Sequence, residues 1–95
     1  MLFRSLRQTL VFGKSGILNC SAEGNPAPRL TWTRKGGRAL DRQRFRQQPD
    51  GSMYVDPVLK EDKGEFICTI EQSKGTKQTT SRRQHIDVSL IGKTV

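Results

Sequence analysis

Short stretches in which apolar and polar residues alternate run along this chain, and no long stretch repeats its apolar residues at helical spacing. Alternation with a period of two marks half-buried strands, so the pattern predicts an all-β chain. Leu18, Cys20 and Ala22 share one face of a strand, while Asn19 and Ser21 share the other. Gly24, Asn25, Pro26 and Pro28 end it in a turn. The next strand carries Leu30 and Trp32 inward and stops at Lys35-Gly36-Gly37, where two glycines suit a reversal. Residues 38–48 are polar and arginine-rich, with Phe45 as the one strong apolar anchor, so only short edge strands are expected there. Asp50-Gly51 then marks a hairpin turn. Met53, Val55 and Val58 point inward after it, and Pro57 limits that strand. Phe66, Cys68 and Ile70 give the next strand, and Ile86, Val88 and Leu90 the last. Seven or eight short strands of this kind predict a two-layer sandwich.

The 95 residues fit one domain, so 1–95 reads as a single unit with its core at about residues 10–90. A chain this short buries only about 60–65% of the surface its unfolded form exposes, which makes any covalent cross-link a material share of its stability. The opening Met1-Leu2-Phe3-Arg4-Ser5-Leu6-Arg7 has no apolar stretch of signal-peptide length, and no run of apolar residues is long enough to cross a membrane. We read the chain as one module of a longer protein.

Several spaced motifs occur in order: Gly16-x-Leu18-x-Cys20, then Ala22-x-Gly24-x-Pro26-x-Pro28-x-Leu30-x-Trp32, then Gly51-Ser52-Met53-Tyr54-Val55. Asp62-x-Gly64-x-Phe66-x-Cys68 follows, with Gly75 beyond the second cysteine. Each alone is weak, but the ordered set, from about Leu10 to Leu90, resembles the immunoglobulin superfamily. Within it the chain is similar to the intermediate (I-set) type found in adhesion molecules, receptor ectodomains and muscle proteins. Fewer than fifty residues separate the cysteines, too few for the extra strand of a variable-type domain.

The resemblance implies a two-sheet antiparallel sandwich pinned by a buried Cys20–Cys68 disulfide packed on Trp32. Such a bridge places the chain in an oxidising compartment and leaves no thiol for metal binding or nucleophilic chemistry. Family analogy reads Trp32 as core filler rather than a ligand platform, and Asp62 as the partner of Arg44 in a salt bridge from strand D to the E–F turn rather than as a catalytic acid. Phe66 departs from the family, standing where a tyrosine hydroxyl usually braces that corner. The stretch from Gly75 to Val88 is longer than usual and is expected to extend the F–G hairpin. His85 is the only histidine, so neither a catalytic triad nor a multi-histidine metal site can be assembled, and it reads as an exposed strand residue. No cofactor or metal is expected. Asn19-Cys20-Ser21 satisfies the glycosylation acceptor pattern, and alternation turns Asn19 outward when Cys20 is buried.

Charge adds the last signal. Seventeen Lys and Arg against nine Asp and Glu leave a net +8. Arg29, Arg34, Lys35, Arg38, Arg42, Arg44 and Arg46 crowd the C–D region with only Asp41 among them, and Lys74, Lys77, Arg82 and Arg83 populate the F–G hairpin. Because strands C, F and G are neighbours in such a sheet, the C–C′ turn and the F–G hairpin are expected to form a joint basic surface. The bland alternative is that these cations keep an exposed sheet soluble and guard its edges. Their chemistry otherwise suits heparan sulfate, through Arg34, Lys35, Arg38, Arg42, Lys74, Lys77, Arg82 and Arg83. Nucleic acid is not expected, since no exposed aromatics are interleaved with the cations. The resemblance as a whole implies a non-catalytic extracellular binding module of a membrane-anchored adhesion molecule or receptor, whose partner is a protein or a neighbouring domain. The competing class is an intracellular module of a muscle or actin-associated protein, with reduced cysteines.

Overall fold

In a computed structural model of the protein the described residues are 6–22, 24, 27–74 and 78–92, positions 74 and 78 by their backbone alone. Seven strands carry the fold: β1 (Leu6–Val11), β2 (Gly16–Leu18), β3 (Arg29–Arg34), β4 (Phe45–Gln47), β5 (Met53–Val55), β6 (Gly64–Lys74) and β7 (Gln78–Ile91). One turn of 3₁₀ helix, Lys60–Asp62, precedes β6. The strands form a four-stranded sheet in the order β1-β7-β6-β3 and a three-stranded sheet in the order β2-β5-β4. All pairs are antiparallel except β1 with β7, which runs parallel from Leu6↔Ile86 to Val11↔Ile91. The all-β expectation holds, and this one parallel pair makes the larger sheet mixed rather than wholly antiparallel.

The core lies between the sheets, and its members alternate along each strand because successive side chains point to opposite faces. Trp32 from β3, Phe66, Cys68 and Ile70 from β6, and Ile86 and Val88 from β7 face Leu18, Phe45, Met53, Val55 and Val58 from the other layer. Cys20 and Cys68 are bonded at 2.12 Å. The indole Nε1–H of Trp32 donates to the Gly51 carbonyl at 2.7 Å, so its polar handle is satisfied inside the sandwich.

The strand expected through Ala22 pairs only as far as Leu18, although Cys20 stays buried and Asn19 exposed. The reason is local: the Asn19 N–H donates to Gln8 Oε1 at 2.8 Å, and its carbonyl accepts from Gln8 Nε2 at 2.9 Å. A side chain of β1 thus takes the place of a neighbouring strand there. Of residues 38–48, only Phe45–Gln47 joins a sheet, as an edge strand three residues long. The F–G hairpin is long, with β6 and β7 of 11 and 14 residues paired from Gly64↔Val88 to Lys74↔Gln78.

Gly51 closes the β4–β5 hairpin at φ +98°, where a Cβ would lie 2.6 Å from Leu30 Cδ2 and 3.3 Å from the Cys20 carbonyl oxygen. Left-handed backbone and a clash with the Leu30 methyl, tightened by the Cys20 carbonyl, act together here, so Gly51→Ala is expected to cost about 2–3 kcal/mol in urea unfolding. An unchanged midpoint would show that the turn relaxes freely.

Candidate binding surface

Alternation assigns the outer face of the larger sheet. The inward positions of β3, β6 and β7 are even-numbered, so Arg29, Thr31, Thr33 and Lys35 lie outside beside Glu71, Thr69, Ile67 and Glu65, and these beside Ser81, Arg83, His85 and Asp87. Cations and carboxylates are interspersed on this face. Lys35 Nζ lies 4.0 Å from Glu65 Oε1, and His85 Nδ1–H donates to Glu65 Oε2 at 2.5 Å. His85 is only partly exposed and belongs to this charged row. Its hydrogen bond, above all, holds the Glu65 carboxyl below its ordinary value of 4.5, aided by the charges of Lys35 and His85 against a desolvation that works the other way.

A carboxylate whose folded pKa is lowered stabilises the fold above its ordinary pKa and loses that contribution as pH falls through the lowered value. The stability difference between the protein and Glu65→Gln is therefore expected to be complete at neutral pH and to close on acidification below 4.5. Urea midpoints across that range measure it, and a difference that persists to the acid end would contradict it.

Arg44, in the turn before β4, meets Asp62 in the 3₁₀ turn through a two-pronged contact: Nη1 to Oδ2 at 2.7 Å and Nη2 to Oδ1 at 2.9 Å. Asp62 is fully buried and also accepts the Leu59 N–H at 2.7 Å. Arg44 donates further to the Pro57 carbonyl at 3.0 Å, and Asp62 raises its pKa. This pair is structural by geometry, since it joins the β4 edge to the turn that feeds β6.

The described members of the expected cation set are divided among different surroundings. Arg34 is half-buried, donates to the carbonyls of Glu61 at 2.6 Å and Lys63 at 3.0 Å, and places its guanidinium 4.6 Å from the centre of the Phe66 ring. It clamps the corner that the missing tyrosine hydroxyl would brace. The expected joint basic surface is also corrected by the register. Lys35 N–H bonds the Glu65 carbonyl at the start of β6, whereas the F–G turn follows Lys74 at its end. The C–C′ turn and the Lys74↔Gln78 pair that ends the β6–β7 ladder therefore lie at opposite ends of the sheet, about 30 Å apart. Arg82 and Arg83, adjacent in sequence, point to opposite faces: Arg83 outward beside Thr69, Arg82 to the other side, among Asn19, Ile70 and Gln84. Lys77 and the Lys74 side chain lie outside the described residues.

Arg38, Arg42 and Arg46 remain exposed and form no ion pair with a described residue. Arg42 borders a groove of about 510 Å³ between β3 and β4, lined also by Trp32, Thr33, Leu40, Phe45 and Met53. Sequence reading missed this groove, because it arises from two edge strands of different sheets that sequence spacing does not relate. The available signal was the single apolar anchor, Phe45, in residues 38–48. Asn19 stays exposed, its backbone alone engaged by Gln8. Among the described residues no group of three His, Cys, Asp or Glu side chains is placed to hold a metal ion.

The family profile for the immunoglobulin I-set domain matches residues 4–83. Hemicentin-1 of Mus musculus is 36% identical over 63 residues, which is 66% of this chain and 1% of that protein. The cell adhesion molecule DSCAML1 of Homo sapiens is 32% identical over 74 residues, 70% of this chain and 4% of that protein. The chain thus spans a small fraction of these relatives. Titin domain M7 superposes with a TM-score of 0.72 at 18% identity, covering 92% of this chain and 87% of that one, a likeness of fold alone. With a profile matched along most of its length, the chain belongs to the immunoglobulin superfamily as an I-set domain.

Proposed function

We propose that this domain is a non-catalytic recognition module from the extracellular part of a membrane-anchored adhesion molecule or receptor, and that it works by rigid display. The observation that carries this reading is the buried Cys20–Cys68 bridge in a chain related to a cell adhesion molecule, since such bridges persist in oxidising compartments. Two layers closed on a cross-linked core hold the outer sheet face and the β3–β4 edge in place. Affinity then comes from charge steering and a few buried contacts, with a protein as partner. Heparan sulfate would find exposed cations at Arg38, Arg42 and Arg46 on one edge, a smaller patch than the sequence promised. An exposed Asn19 supports a glycan there.

Titration of thiols on native protein secreted from mammalian cells tests the compartment. No reactive thiol is expected; two would favour the intracellular muscle or actin-associated reading. Intact mass before and after glycosidase treatment tests Asn19, and a screen against immobilised cell-surface ectodomains tests recognition itself.

A further inference from the structure

The open side of the sandwich, where β3 faces β4 across the groove, has an unused main chain. The Lys35 N–H donates to the Glu65 carbonyl at 3.0 Å, which turns the odd positions of β3 toward β6. Alternation turns the N–H and C=O of Leu30, Trp32 and Arg34 to the outer edge. Both ends of that edge are capped. Arg34 donates to the Arg38 carbonyl at 3.2 Å and accepts from the Gly37 N–H at 2.9 Å, while the Leu30 carbonyl accepts from Gln47 Nε2 at 2.9 Å. Between the caps, the Trp32 N–H and C=O have no partner among the described residues.

Sheet edges are ordinarily blunted by shortness, proline, bulges or charge. β4, the other edge along this groove, is three residues long, and β1 is laced to residue 19 through Gln8. In contrast β3 is six residues long, pairs with β6 in unbroken register, and between its terminal arginines holds only Leu30, Thr31, Trp32 and Thr33. Beside it stand Arg38 and Arg42, exposed and with no ion pair to a described residue, while Asp41, the one acid of residues 29–48, lies 3.7 Å from Arg44.

We propose that the β3 edge takes up an extended acidic segment of a partner protein as an added strand. Its main chain exchanges hydrogen bonds with Trp32, alternate side chains enter the groove against Phe45, Met53 and Leu40, and its carboxylates face Arg38 and Arg42. A sulfated glycan would meet the charge but leave the Trp32 amide and the apolar lining unanswered. The inference rests on the recognition reading above and names its site and partner class.

The probe is a capped peptide of alternating Glu and Val, with a second version N-methylated at every residue, so that neither of its edges can donate a main-chain hydrogen bond. Isotope-labelled protein is followed by NMR. The parent peptide is expected to shift the amides of Leu30–Arg34 and slow exchange of the Trp32 amide about tenfold or more. The methylated peptide is expected not to bind, and Arg38→Ser with Arg42→Ser to weaken binding about tenfold without moving the urea midpoint. Equal binding of both peptides would reduce the site to charge alone and overturn the proposal. So would absence of peptide binding, or displacement by a heparin oligosaccharide with Trp32 exchange unchanged. An ectodomain that binds without protecting Trp32 sinks the edge but leaves the recognition reading, whereas binding to no ectodomain counts against that reading separately.

Discussion

Arg44→Ala is expected to lower stability by about 3–5 kcal/mol, because it leaves a carboxylate inside the protein without its cation. Asp62 has no solvent exposure, and three of its hydrogen bonds are in place: two from Arg44 and one from the Leu59 N–H. Arg44 also lies 5.0 Å from the centre of the Phe45 ring, so truncation removes packing along with charge. Arg44→Lys keeps the charge but cannot present two parallel donors, and a smaller loss of about 1–2 kcal/mol is expected. Replacing both partners, as in Arg44→Met with Asp62→Leu, is expected to cost less than Arg44→Ala alone, since no charge then stays buried and unpaired. Urea unfolding at constant m-value decides among these. An Arg44→Ala loss below about 1 kcal/mol would mean that water reaches Asp62 and the pair acts as a surface contact.

Cys20→Ala with Cys68→Ala is expected to lower the melting temperature by about 15–30 °C. The bridge closes a loop with a sequence separation of 48, worth about 4 kcal/mol in unfolded-chain entropy. A domain of this length has roughly 5–14 kcal/mol in total, so the loss removes a large part of the margin. Calorimetry of the oxidised protein and the double variant measures it. A fall under about 5 °C would imply that the reduced chain already holds these positions close together before it folds.

The strands were legible wherever one face is buried and the other wet. Phe66-x-Cys68-x-Ile70 and Ile86-x-Val88 mark their own inward faces, and the structure buries all five. Phe45 was legible as an anchor for the same reason, because a lone aromatic in a polar stretch has only the core to occupy. Three things were not legible. A period of two says which face a residue takes but not which end of a sheet it lies near, so the C–C′ turn and the F–G hairpin were merged into one surface, although the register sets the C–C′ turn and the Lys74↔Gln78 pair at opposite ends. Composition likewise counts an arginine as a free cation, whereas Arg34 reaches two carbonyls and a ring. The β3–β4 groove was hidden for a third reason: it depends on how two sheets stack, a relation between residues with no spacing in common.

Pairing of β3 with β6 ends at Arg29↔Glu71, but β6 and β7 continue together through Gln72↔Thr80 and Ser73↔Thr79 to Lys74↔Gln78. That leaves a two-stranded finger standing about 10 Å clear of the rest of the larger sheet. The last three β6–β7 pairs therefore carry edges that no third strand of the larger sheet covers among the described residues.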